Sequence, residues 1–249
     1  MAKKLLASDF DGTIGDDEQL VKDAAAIARF RAAGNYFGLV SGRNSDALAW
    51  CRDWAKLEVD FLLADNGGTC HIDGKPLFCV EAAAEAMLPL CDYLMAKKTK
   101  LIAVNRVDGT DMIYYKHSDG REEYDPRRVF WRARKFSEIS AYFATVEICH
   151  AVSREVNDIF PHLDALPNGR CLDIVPRGSG KNVGVGLIAK RLGVANEDVY
   201  TVGDNFNDLS MIRAYKGYAV ANAHPDVQKQ APMGTIASVE ALIERLMKG

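Results

Sequence analysis

The chain has 249 residues, enough for one large domain or two modest ones. Hydrophobic residues make up 48% and charged residues 26%, a globular balance with enough apolar material for a core. A net charge of −3 argues against a general nucleic-acid binder, whose footprint would be basic. No apolar run approaches the ~18 residues that a membrane helix needs.

The segment Met1 to Ala7 starts like a signal peptide, but Asp9 and Asp11 interrupt what would be its apolar region. A cytoplasmic location is the expectation. The six cysteines (Cys51, Cys70, Cys79, Cys91, Cys149 and Cys171) are scattered, with no C-x-x-C pair. They read as reduced, mostly buried thiols.

In chain order, Leu5 to Ser8 is a short apolar run ending on an acidic, glycine-containing turn. A buried parallel strand delivers functional groups at its C-terminal end in this way. Gln19 to Ala33 has helical spacing and stops at Gly34. Tyr36 to Val40 reads as strand, Asp46 to Lys56 as helix and Phe61 to Ala64 as strand. This alternation predicts a doubly wound parallel sheet, the α/β class.

The rhythm changes near Val80. Ala82 to Lys97 reads as helix despite Pro89. Lys100 to Asn105 and Met112 to His117 read as a hairpin joined by Val107-Asp108-Gly109-Thr110. Arg127 to Tyr142 reads as helix, Val146 to Ser153 as strand, Glu155 to Leu166 as helix and Cys171 to Val175 as strand. An inserted α+β unit over 82–171 follows, between core segments 1–81 and 172–249. The α/β rhythm returns with helix Lys181 to Leu192, strand Val199 to Val202, a helix to about Tyr215, strand Tyr218 to Val220 and helix Val239 to Met247.

Four polar signals sit at element ends along what would be one sheet edge, where open α/β sheets bind ligands. Asp9-Phe10-Asp11-Gly12-Thr13 follows the first strand. Strand alternation could project Asp9 and Asp11 together, and as the strand ends and turns one carboxylate can attack while the other handles protons. Ser41-Gly42-Arg43 ends the second strand and offers a hydroxyl and unhindered backbone N–H groups to a phosphate oxygen, though Ser-Gly is also a common turn. Lys181, at a helix start, could neutralise a phosphate as a point charge, or be an ordinary surface lysine. Its segment is not a P-loop: Val175 and Asn182 stand where that motif needs Gly and Ser or Thr. Gly203-Asp204-Asn205-Phe206-Asn207-Asp208 offers hard oxygen ligands of the kind magnesium prefers, or else a polar helix cap.

Taken together, in order and spacing, the four resemble the motifs of the haloacid dehalogenase superfamily of phosphohydrolases. The long insertion resembles the type-2 cap of its Cof-type branch, and Asn66-Gly67-Gly68 is similar to a turn common there. Two local departures are Gly180 and Asn182 around Lys181, and Ala221 where Gly is usual.

The resemblance implies a Mg2+-dependent phosphatase acting on a small phosphorylated metabolite, a sugar phosphate by family habit. It implies Asp9 as nucleophile and Asp11 as general acid and base. The metal would be held by Asp9, the backbone carbonyl of Asp11, Asp204 and Asp208. Ser41, Gly42, Lys181 and Asn207 would hold phosphate oxygens. A phosphomutase or phosphotransferase on the same core, or a non-catalytic binding protein, are the alternatives. No nucleic-acid or membrane partner is expected, and oligomeric state is not legible. In the insertion, Arg127, Arg128, Arg132, Arg134 and Lys135 read as a solvated helix face before a contact for an acidic substrate, Phe130 and Trp131 as core before a sugar-stacking platform, and His117 and His150 as structural strand residues before ligands.

Overall fold

The computed structural model describes residues 2–83, 87–106, 109–125 and 135–248. It contains two compact units, Met1–Leu77 with Gly180–Gly249, and Phe78–Ser179.

The first unit is built on a sheet whose strand order is β16-β15-β14-β1-β2-β3-β4-β5. Its strands are β1 (Leu5–Asp9), β2 (Tyr36–Val40), β3 (Phe61–Ala64), β4 (Thr69–Ile72), β5 (Lys75–Cys79), β14 (Val199–Gly203), β15 (Lys216–Val220) and β16 (Thr235–Ile236). From β16 to β3 the pairing is parallel, and β4 turns back antiparallel on β3. The helices are α1 (Asp17–Ala32), α2 (Ser45–Trp54), α5 (Lys181–Leu192), α6 (Leu209–Ala214), α7 (Pro225–Gln228) and α8 (Val239–Lys248).

Strand alternation sorts the side chains onto two faces. Leu6, Phe37, Leu39, Val202 and Tyr218 join Ile27 and Phe30 of α1 and Leu242 and Leu246 of α8 in one cluster. The other face carries α5 and α6: Gly184 of α5 lies against Leu63, and Thr201 bonds the Met211 carbonyl of α6. Leu5, Ala7 and Asp9 share that second face by parity.

The second unit holds a six-stranded sheet, β12-β13-β11-β7-β8-β9, and a two-stranded ribbon, β10-β6. Its strands are β6 (Ala82–Ala83), β7 (Leu101–Arg106), β8 (Gly109–Lys116), β9 (Glu122–Tyr124), β10 (Lys135–Phe136), β11 (Glu138–Tyr142), β12 (Leu163–Asn168) and β13 (Cys171–Pro176). The pairings within the six-stranded sheet are antiparallel. Helices α3 (Met87–Ala96) and α4 (Val146–Ile159) supply Leu90, Leu94, Cys149, Val152 and Val156 to a separate core with Ile102, Ile139 and Ile174. The α/β class and the inserted α+β unit are as expected.

Ala82–Ala83 is a strand paired with β10 where the start of a helix is expected, and three further segments differ from expectation. Residues 146–159 form one helix, not a strand followed by a helix. Thr145 caps it by accepting the Ile148 N–H, and Cys149, Val152, Ser153 and Val156 repeat at helical spacing on its buried face. Leu163–Asn168 is a strand, because Ala165 and Leu166 pair Ile174 and Asp173 across a hairpin. Lys135–Phe136 and Glu138–Tyr142 are strands where a helix is expected, so Lys135 lies on a ribbon beside Ala83 and not on a helix face. Arg127, Arg128, Phe130, Trp131, Arg132 and Arg134 lie outside the described residues. His150 sits in α4, and His117 lies just past the end of β8.

Strand β13 pairs β11 and β12, so the return to the first unit falls after Ser179 and not at 172. All six cysteines are free, four of them buried. Among the described residues, no helix is long and apolar enough to cross a membrane.

Candidate active site

Sheet register assembles the site before any side chain is considered. Asp9 lies opposite Val40, so Ser41 follows directly at the same edge. Ser8 lies opposite Val202, which puts Gly203 and the acidic turn on the other side of β1. Val40 lies opposite Leu63, and the turn after β3 begins at the same level.

Asp9 points to the face that carries α5, so the first residue of that helix meets it. Lys181 Nζ lies 2.7 Å from Asp9 Oδ1 and 2.6 Å from Asp208 Oδ1. Lys181 and Asp208 are both fully buried, so the surface-lysine reading fails here. Burial opposes the ammonium charge, but Asp208 and then Asp9 outweigh it and raise the Lys181 pKa above its ordinary range. Asp208 Oδ2 also accepts the backbone N–H groups of Asp204 and Asn205, 3.0 Å each. Asp208 therefore caps its short helix and anchors the lysine at once.

Asp204 completes the cluster. Ligand oxygens of Asp9, Asp204 and Asp208 lie within 4.8 Å of one another. Among the described residues, three carboxylates thus face one ammonium. Burial, and next the charge of Asp208, pushes Asp204 up to about 7. The same two causes, in the same order, raise Asp9 well above the usual carboxylate range, against the pull of Lys181. Such a carboxyl cluster takes up either protons or a hard cation, and its all-oxygen donor set fits a divalent ion such as Mg2+.

The turn after β1 is shaped to meet this cluster. Gly12 has φ +80°, and a Cβ there would lie 2.5 Å from Asp204 Oδ2. Asn222 donates to the Gly12 carbonyl at 2.7 Å, and His224 N–H donates to the Asp204 carbonyl at 2.9 Å. Gly12→Ala is expected to displace Asp204, cost about 1–2 kcal/mol for the left-handed backbone, and lower turnover at least about 100-fold. Thermal melting and steady-state kinetics check it.

Strand β1 ends at Asp9, and Asp11 sits in a turn closed by Thr13 and Ile14 N–H groups on the Phe10 carbonyl, so strand alternation no longer applies. Its half-exposed carboxylate accepts two bonds from Arg43, from Nε and from Nη2, at 2.7 Å each. Arg43 was legible only as the residue after Ser41-Gly42, with no role attached.

Ser41 is buried, its N–H on the Leu63 carbonyl and its hydroxyl accepting from Arg43 N–H; Gly42 is half-buried beside it. Asn207 is buried, and its Nδ2 donates to Asn66 Oδ1 at 3.3 Å. Asn66 is the second residue to which the sequence attached no role.

Residues 6–241 match the haloacid dehalogenase-like hydrolase family. The chain belongs to that family. It is 28% identical over 236 residues to the phosphoglycolate phosphatase of Pyrobaculum aerophilum, covering 93% of this chain and 88% of that protein. A local match to the stress response protein YhaX of Bacillus subtilis is 35% identical over 95 residues. It covers 37% of this chain and 33% of that protein's length. The fold is shared with the subclass IIB sugar phosphatase BT4131, at a TM-score of 0.77 and 17% identity over 99% of this chain and 98% of that one. The expected superfamily is therefore the one found, and the protein is a hydrolase of that family.

Proposed function

We propose that this hydrolase is a Mg2+-dependent phosphatase of small phosphorylated metabolites that works through a phosphorylated Asp9. The observation that carries the reading is the buried Asp9, 2.7 Å from Lys181 and grouped with Asp204 and Asp208 at the sheet edge. Asp9, the Asp11 backbone carbonyl and Asp204 would hold the metal, with Asp208 in support. When bound, the ion would screen the repulsion between carboxylate and phosphate dianion.

In this reading Asp9 attacks phosphorus, its new O–P bond forming as the ester O–P bond breaks. Asp11, which must carry a proton when the ester is bound, gives it to the departing alkoxide. It then accepts the proton of the water that attacks the aspartyl-phosphate, which releases inorganic phosphate and frees Asp9. The carboxylate held by Arg43 is the form needed for that second step. Ser41, the Gly42 backbone, Lys181 and Asn207 would hold the phosphate oxygens, so that positioning and charge do most of the work.

A sugar phosphate is the favoured substrate class. It rests on the shared fold with a sugar phosphatase. The unit at Phe78–Ser179 is assigned as the cap that selects the alcohol, and the setting is taken to be cytoplasmic.

Chelation of divalent ions from the purified protein should abolish hydrolysis of an aryl phosphate, and Mg2+ should restore it. Mg2+ should also raise the melting temperature of wild type, because it binds only the folded cluster. Unchanged hydrolysis after exhaustive chelation would refute metal dependence. A panel of phosphorylated metabolites, scored by phosphate release, then ranks sugar phosphates against other esters.

A further inference from the structure

We infer that Asn66 is a positioning residue: from one buried turn it orients Asn207 and fixes Ser41, while its neighbour Gly67 lies against the Lys181 backbone. This inference rests on the proposed phosphatase reading, in which those three residues hold the phosphate.

Asn66 is fully buried. Its backbone is left-handed, φ 48° and ψ 34°. Asparagine tolerates that conformation better than most side-chain-bearing residues. The conformation lets one residue reach in two directions. Its N–H donates to the Ser41 carbonyl at 3.0 Å, just after Ser41 N–H has bonded Leu63 at 2.9 Å. Ser41 is thus clamped on both sides of its peptide.

Its side chain accepts from Asn207 Nδ2 at 3.3 Å. An asparagine amide has two N–H donors and one acceptor. Committing one N–H to Asn66 selects one of the two flipped orientations of the Asn207 amide and leaves the other N–H for a phosphate oxygen.

The next residue completes the clamp. Gly67, at φ +98°, lies so close to the following motif that a Cβ would sit 2.3 Å from the Gly180 carbonyl oxygen and 2.9 Å from Lys181 N. Gly184, one turn into α5, would have its Cβ 2.8 Å from the Gly67 carbonyl. The start of α5 is therefore seated directly on this turn.

The variants are Asn66→Gly, which keeps the left-handed backbone, and Asn66→Ala, which loses the same amide without added chain freedom. Each is measured alone and combined with Asn207→Ala, by KM and kcat on an aryl phosphate with Mg2+ and by Ki for inorganic phosphate. Both single variants should raise KM and phosphate Ki about tenfold while kcat stays within about threefold, the signature of lost uniform binding. In the Asn207→Ala background, Asn66→Gly should add less than about threefold. Unchanged KM and Ki in a folded Asn66→Gly or Asn66→Ala protein would overturn the inference, as would fully multiplicative effects with Asn207→Ala. A lower melting temperature with unchanged KM would mark a purely structural residue and overturn it too. If one variant fails to fold, the other decides. If wild type neither hydrolyses the ester nor binds phosphate, the phosphatase reading fails instead, which is a distinguishable result.

Discussion

Asp9→Asn is expected to lower phosphatase turnover by at least about 10³-fold while the protein stays folded. The amide keeps the shape of the side chain but cannot form the covalent phosphoryl intermediate. Stability should not fall. Asp9 is buried among other carboxylates, and burial and Asp208 both oppose its charge. Lys181 retains Asp208 as a partner at 2.6 Å. Without added metal, the variant should therefore melt at or above the wild-type temperature. A large loss of melting temperature together with the loss of activity would mean that Asp9 is chiefly structural. Full activity would remove it from the chemistry.

Lys181→Ala is expected to damage both stability and activity, and so to contrast with Asp9→Asn. Among the described residues, the Lys181 ammonium is the cation paired with Asp9 and Asp208. Removing one partner from a buried ion cluster leaves uncompensated charge and costs about 3–5 kcal/mol. For a chain of this size that lowers the melting temperature by roughly 6–20 °C. Turnover should fall about 10²–10³-fold, because a preorganised charge at the transferring phosphoryl group is lost. Adding Mg2+ should recover part of the stability of this variant but little of its rate. Wild-type stability would show that the lysine is not the buried counter-charge. Wild-type kinetics would show that it does not hold phosphate.

The contrast explains which parts of the molecule were legible. Strands β1, β2, β3 and β14 are short apolar runs that end on polar motifs, a pattern that buried parallel strands impose. Asp9, Asp204 and Asp208 could be placed at one edge because the motifs follow those strands directly. The burial of Lys181 was not legible, since nothing in Gly180-Lys181-Asn182 says that two carboxylates lie across from it. The surroundings of Asp11 are not legible from strand alternation, because β1 ends at Asp9. Arg43 and Asn66 gained their importance only from partners distant in the chain, Asp11 and Asn207.

In the inserted unit, the errors have a common origin. Val146-Glu147-Ile148 carries β-branched residues and reads locally as strand, yet the Thr145 cap and a four-residue buried stripe make it helix. Glu138–Tyr142 was absorbed into a basic segment read as helix, although Ile139 and Ala141 alternate with Glu138 and Ser140. The hairpin of β4 and β5 did carry a signal: Asp73-Gly74 is a two-residue turn with φ of 51° and 71°, the pairing that right-handed twist favours. For Glu138–Tyr142 the pairing with β7 and β13 decided the element, as partners usually do for marginal local propensity.

The most direct test of the central claim is to quench the Mg2+-loaded enzyme during turnover with borohydride and digest it for mass spectrometry. Borohydride reduces an acyl phosphate to the alcohol, so aspartyl-phosphate becomes homoserine. The expected result is homoserine at Asp9, dependent on substrate and absent from Asp9→Asn. Turnover that proceeds with Asp9 unmodified, or homoserine at any other aspartate, would contradict the account.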